Sequence, residues 1–164
     1  MMLLVAIVLL GRVCVGAAGT ATTSLTVSAT VVDACTVTTT PLAFPPYASG
    51  TTTPTDTTST IAVLCTPGTA FTVGLNPGST TGSAFVERRM QHVTSASATL
   101  GYNIYRNAER TEVWADGIGS TFTVSGTGTG LQHVVSFTAY GRMPSGQRVS
   151  FGTYTDVITV TLTY

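Results

Sequence analysis

Two stretches of strict alternation bracket this chain and constrain its fold more than anything between them. From Ser24 to Val31, apolar side chains fall at Leu25, Val27, Ala29 and Val31, with Ser or Thr in the intervening positions. From Val157 to Tyr164, the side chains of Ile158, Val160, Leu162 and Tyr164 alternate with Thr159, Thr161 and Thr163. A period of two marks a β-strand with one dry face and one wet face. Such a strand has to join a sheet, because its backbone N–H and C=O groups need partners. Yet no turn signal after Val31 folds the first stretch into a hairpin, and the chain stops inside the second. One strand is surplus at the N-terminal end and one is wanting at the C-terminal end. The expectation is a sheet completed by another molecule.

The segments between read as strands too. Cys35-Thr36-Val37-Thr38 is a short strand, and Pro41 to Tyr47 carries three prolines, which places it at an edge or in a loop. Residues 49–59 are Gly, Thr and Pro with almost nothing apolar, a surface loop. Thr60–Cys65 and Ala70–Leu75 flank the turn Thr66-Pro67-Gly68-Thr69 and are expected to pair as a hairpin, with Phe71, Val73 and Leu75 on one face. Residues 85–98 read as irregular around the charge cluster Glu87-Arg88-Arg89. Strands follow at 99–106, with Leu100, Tyr102 and Ile104 inward, at 112–114, at 132–140, with Val135 and Phe137 as core candidates, and at 157–164. Residues 142–147 read as a turn. Roughly seven strands without a helix predict an all-β sandwich.

Composition narrows the class. At 164 residues one domain is expected. Charged residues make up 9%, lysine is absent, and seven arginines balance seven acids. That excludes the basic patch of a nucleic-acid binder. Threonine, whose branched Cβ suits the pleat, fills the polar positions. Residues 1–18 resemble a secretory signal, with the apolar run Leu3–Leu10 and the small residues Gly16-Ala17-Ala18, although no Lys or Arg precedes the run and Arg12 follows it. The run is too short to span a bilayer, so no stable membrane insertion is expected. Gly11-Arg12-Val13 is a poor match to the box that lipidation at Cys14 would need. With Cys14 removed, Cys35 and Cys65 remain and are expected to pair, closing a loop that stabilises by about 3–4 kcal/mol. Zinc is the alternative, but two cysteines without a nearby histidine make an incomplete site.

Catalytic patterns are wanting, so an enzyme, a metal and a cofactor are not expected. His92 and His133 lie far apart among Val, Ser, Thr and Gln and read as ordinary sheet histidines. Glu109 and Glu112 flank Arg110 in a polar turn, which suits local ion pairs better than a glycosidase carboxylate pair. Gly126-Thr127-Gly128-Thr129-Gly130 lacks the lysine and strand–helix context of a phosphate loop and reads as a flexible turn. Arg88-Arg89 reads as a solvated loop, with sugars or an anionic surface as the other reading. Tyr102, Tyr105 and Trp114 form a candidate sugar-stacking platform, against which Tyr102 at strand spacing reads as core. On this basis the alternative function is a secreted monomeric β-sandwich module that binds a glycan or surface.

Several landmarks in order resemble the spore coat protein U domain, shared with pilins of the archaic, Csu-type chaperone–usher pathway. They are Ala34-Cys35-Thr36-Val37, Pro41-Leu42-Ala43-Phe44, Val63-Leu64-Cys65-Thr66-Pro67-Gly68, Arg88-Arg89-Met90 and Leu100-Gly101-Tyr102-Asn103-Ile104-Tyr105-Arg106. Val113-Trp114-Ala115-Asp116-Gly117, Tyr140-Gly141-Arg142-Met143-Pro144, Gly152-Thr153-Tyr154-Thr155-Asp156 and Thr159–Tyr164 complete the set. Pro45-Pro46 departs from the glycine common after the Phe of the second landmark. The resemblance implies an incomplete immunoglobulin-like β-sandwich completed by donor-strand exchange. It implies a signal at 1–18, a donor strand at 19–33 carrying Leu25, Val27, Ala29 and Val31, and a sandwich domain at 34–164 whose last strand presents Ile158, Val160, Leu162 and Tyr164. The implied partners are identical or related pilin subunits, a periplasmic chaperone and an outer-membrane usher. The implied destination is the cell surface by way of the periplasm, as a pilus or a coat.

Overall fold

The computed structural model describes residue 16 and residues 18–164. The expected signal, 1–18, and Cys14 lie outside the described residues, apart from Gly16 and Ala18. The chain divides into two compact units, Met1–Val31 and Val32–Tyr164. In the first, the described residues carry no regular secondary structure and every one is exposed. The second unit is built from β1 (Cys35–Thr39), β2 (Thr55–Cys65), β3 (Ala70–Leu75), β4 (Arg88–His92), β5 (Ser95–Tyr105), β6 (Val124–Thr127), β7 (Val135–Met143), β8 (Tyr154–Thr155) and β9 (Val160–Thr163). No helix occurs among the described residues.

One sheet has six strands in the order β1-β2-β7-β5-β4-β8, and the other has three in the order β6-β3-β9. Every strand pairing is antiparallel. The core takes alternate residues from both sheets: Ile61, Val63 and Cys65 of β2, Leu100, Tyr102 and Ile104 of β5, and Phe71, Val73 and Leu75 of β3. Those are the period-two positions, so burial follows the pleat. Trp114, fully buried, and Phe71 each meet Phe137 edge-on, with centroids 6.3 and 6.1 Å apart. The Trp114 indole Nε1 donates to the Val73 carbonyl at 3.0 Å, so its one polar atom is satisfied inside the core. Cys35 and Cys65 stand opposite each other in the β1–β2 register and are disulfide-bonded, which removes the zinc reading.

Six expectations about elements are corrected. β2 and β3 are not a hairpin: β2 pairs with β1 and β7, β3 pairs with β6 and β9, and Thr66–Thr69 carries the chain from one sheet to the other. There Gly68 N–H donates to Gly128 O and Gly128 N–H donates to Thr69 O. A Cβ at Gly128 would stand 2.3 Å from the Thr66 carbonyl, so the glycine permits this approach; residues 126 and 127 are strand, not a flexible turn. The loop at 49–59 ends early, because Thr55–Ser59 are strand and pair with β7. Residues 85–98 are not irregular but hold β4 and the start of β5, with a bulge between Gln91 and His92. The strand expected at 132–140 runs Val135–Met143 instead; Ala139 and Met143 are buried, whereas Val135 and Phe137 are half-buried. The last strand is also shorter than its pattern, since the ladder holds Val160–Thr163 only.

Candidate functional site

β9 pairs with β3 and has no ladder partner on its other side among the described residues. The hydrogen bonds around it set the phase of that free side. Asn76 N–H donates to Thr159 O at 3.1 Å, whereas Leu75 N–H turns away to Ala115 O at 3.1 Å. In an antiparallel pair, bonded and non-bonded positions alternate. Thr159, Thr161 and Thr163 therefore face β3, and the N–H and C=O groups of Val160 and Leu162 point out to the unpaired edge. Their side chains, with that of Ile158, are half-buried against the core, and Tyr164 is mostly exposed.

Beside that edge lies a groove of about 370 Å³. Ile158 and Val160 form one wall, and Thr39 to Leu42 with Phe44 form the other. Its floor is the core itself, with Ile61, Leu75, Ile104 and Ala139 reaching the surface of the cavity. A second open cavity of about 630 Å³ shares Leu42, Phe44, Met90 and Tyr154 with the first and continues past Pro45, Pro46 and Val149. The segment 40–49 thus lines the groove without joining a sheet. It is held by side chains: Thr57 Oγ1 donates to Ala43 O at 2.7 Å, and Tyr47 OH donates to Pro144 O at 2.9 Å. An apolar channel beside an unsatisfied strand edge is shaped to receive an extended chain with alternate apolar side chains.

Two polar anchors, whose anchoring role the sequence reading did not pick out, hold the elements around the groove. Asp156, at the entry to β9, accepts from Ser79 N–H at 2.9 Å, Thr80 N–H at 3.1 Å and its own neighbour Val157 N–H at 2.9 Å, all on Oδ1. Its Oδ2 accepts from the Tyr102 hydroxyl at 2.7 Å. Burial first, and then that hydrogen bond, pushes the Tyr102 phenol far up. Arg88 is the second anchor and corrects the expectation of a solvated loop, because it is fully buried. Its guanidinium donates to Asn103 Oδ1 at 2.7 Å, to Trp114 O at 2.9 Å, and from Nε and Nη2 to Asn76 O at 3.1 and 2.9 Å. Burial draws its pKa down to about 10, so it stays charged at neutral pH on neutral acceptors. Asn76 carries the chain out of β3, and its Oδ1 also accepts from Thr159 N–H at 2.8 Å, which places Arg88 behind the start of β9. The one available signal was spacing: Arg88 and Met90 sit two apart, so a strand there points both to the same face.

The remaining candidates fall where no site forms. Arg89 makes an exposed pair with Glu87 at 2.6 Å. Glu112 pairs with Arg106 at 2.7 Å, and Arg110 reaches Asp56, which Arg142 also holds at 2.7 Å. The hydrogen bond from Arg142 first, and then the charge of Arg110, hold the Asp56 carboxyl below its usual range. The exposed Arg89–Glu87 pair contributes little to stability. His92 packs edge-on against Tyr154 with centroids 5.0 Å apart, and His133 is exposed elsewhere. No group of three or more potential metal ligands occurs among the described residues. The sugar platform is not built, since Trp114 has no exposed surface and Tyr102 is buried. Trp114→Ala is therefore expected to lower stability by about 3–5 kcal/mol, read as a fall in the denaturant midpoint, with Trp114→Phe losing less. A normal midpoint with only saccharide binding lost would contradict the burial. The donor-strand candidates Leu25, Val27 and Val31 are 86%, 84% and 82% exposed, and Ala29 is exposed as well.

Comparison with known proteins agrees with this architecture. The Spore Coat Protein U domain family matches over residues 21–161. "Protein U" of Myxococcus xanthus is 32% identical over 114 residues, which make up 65% of this chain and 59% of that protein. Among solved structures, the CsuC–CsuE chaperone–tip adhesion subunit pre-assembly complex from archaic chaperone–usher Csu pili of Acinetobacter baumannii superposes with a TM-score of 0.61 at 20% identity. That match covers 82% of this chain and 41% of the other. The likeness is one of fold, an all-β immunoglobulin-like sandwich.

Proposed function

Because the chain belongs to the Spore Coat Protein U domain family, we propose that it is a non-catalytic structural subunit of a secreted surface assembly, a chaperone–usher pilus or a coat, that polymerises by donor-strand complementation. The observation that carries the reading is the free edge of β9 beside an apolar groove, with the backbone groups of Val160 and Leu162 turned outward. In this reading residues 1–18 are an export signal, residues 19–33 are the donor strand, and residues 34–164 are the acceptor domain. The segment 19–33 of one copy lies along β9 of the next, with Leu25, Val27, Ala29 and Val31 turned into the groove.

Magnitudes support such a joint. Burying Leu25, Val27 and Val31 contributes about 1.5–3 kcal/mol each, with less from Ala29. Backbone hydrogen bonds along the strand add roughly 0.5–1.5 kcal/mol each. The gross sum is on the order of 10 kcal/mol before association costs, enough to hold a fibre without covalent bonds. An open groove is an aggregation hazard, so a periplasmic chaperone fills it before assembly and an outer-membrane usher passes the subunit to the cell surface. The Acinetobacter structure, a complex of a chaperone with a pilus subunit before assembly, supports that partner by analogy of fold.

Electrophoresis of purified protein with and without boiling tests the reading. A ladder that collapses to one band on heating is the expected result. A single monomer band in both lanes, from protein that binds a saccharide saturably, would favour the secreted binding module instead.

A further inference from the structure

We propose that the turn Thr66–Thr69 clamps the chain at Asp33-Ala34, so that the donor segment is kept out of its own groove and reserved for a second copy; this rests on the donor-strand reading above. The observations lie at the start of the acceptor domain. Ala34 continues the β1–β2 register one step beyond the disulfide: Thr66 N–H donates to Ala34 O at 2.9 Å, and Ala34 N–H donates to Thr66 Oγ1 at 3.1 Å. Thr69 is buried, and its Oγ1 donates to Asp33 Oδ1 at 3.1 Å. Next in line, the Cys35–Cys65 bond fixes the head of β1 to β2. Three hydrogen bonds and a covalent bond thus hold residues 33–35 in line with β1.

That direction matters because a donor segment is tethered to its own acceptor. A short tether presents a segment at an effective concentration of roughly millimolar, so closure onto its own domain outcompetes any dilute second copy unless something opposes it. For its own segment to lie beside β9, the chain must reverse next to Cys35. The tightest reversal is a two-residue hairpin loop, which Asp33-Ala34 would have to form. Held against Thr66 and Thr69, those two residues cannot turn without giving up the clamp bonds. Moving the reversal out to residues 29–32 spares the clamp but takes Ala29 and Val31 away from the groove, leaving Leu25 and Val27 to fill it. A segment arriving from a second copy meets neither penalty.

The test uses the full mature chain, refolded from denaturant at fixed dilution, with the monomer-to-polymer ratio read by unboiled electrophoresis and the protection of residues 19–31 in the monomer read by limited proteolysis. The double variant Thr66→Val, Thr69→Val removes both hydroxyls and retains the branched shape. It is expected to raise the protected, self-closed monomer about tenfold over the unmodified chain, as loss of net hydrogen bonding of this size implies. Asp33→Ala, an exposed substitution, shifts the ratio the same way by less and carries the test if the double variant does not fold. Unchanged ratios with unprotected monomer segments in the variants that fold would overturn the clamp while leaving donor-strand polymerisation standing. An unmodified chain that forms no heat-sensitive polymers would overturn both.

Discussion

A chain lacking residues 22–32 is expected to form no heat-sensitive polymers while still binding a chaperone. The deletion removes Leu25, Val27, Ala29 and Val31 together, the exposed apolar set that offers about 5–9 kcal/mol of burial from its three large members alone. It touches none of the strands among the described residues, the first of which begins at Cys35. The acceptor groove, its floor of Ile61, Leu75 and Ile104, and the outward groups of β9 all remain. A chaperone lending a strand, as proposed, would therefore still have its site. A milder variant, Val27→Asp, is expected to cut polymer yield at least a hundredfold, since it both loses the burial of one valine and places a carboxylate in an apolar groove. Full-length ladders from the deleted chain would overturn the donor assignment.

Arg88→Ala is expected to unfold the acceptor domain or to lower its stability by at least about 3–5 kcal/mol, read as loss of soluble protein and a fall in the denaturant midpoint of the assembled form. The cause is what the guanidinium leaves behind. Asn103 Oδ1, Trp114 O and Asn76 O all accept from it inside the protein, and without it three buried acceptors lose a donor. Arg88→Met restores most of the volume but none of the donors, so it is expected to rescue little. Arg88→Lys keeps a charge and three donors without the planar fork, so it is expected to fall between. A wild-type midpoint in Arg88→Met would show that packing, not hydrogen bonding, is what this side chain supplies. Because Asn76 also holds Thr159 at the mouth of β9, loss of Arg88 is further expected to loosen the acceptor edge.

The contrast between these two regions shows what the sequence could and could not reveal. The all-β class and the inward faces were legible, because Val63, Phe71, Val73, Leu100 and Ile104 sit at period-two positions and burial obeys the pleat. The face of β9 was legible for the same reason. Strand pairing was not: alternation assigns a residue to a face but names no neighbour, so β2 and β3 looked like a hairpin although a sheet-to-sheet crossing separates them. β4 was hidden because a cation occupies one of its inward positions. The first half of β2 was hidden because Thr, Asp and Ser fill both of its faces. The far wall of the groove was legible only as an edge or loop, since side-chain hydrogen bonds and packing hold residues 41–47, not a ladder.

Hydrogen exchange at Val160 and Leu162 decides whether a strand from a second copy lies along the edge of β9. Their N–H groups point to the side of β9 that has no ladder partner among the described residues. In the proposed polymers a donor strand beside β9 would accept from both, so the two amides are expected to exchange as slowly as those within the β2–β7 ladder. Exchange at these two amides as fast in the polymer as in the chain lacking residues 22–32 would rule this out, because the polymer would then be held together somewhere other than the edge of β9.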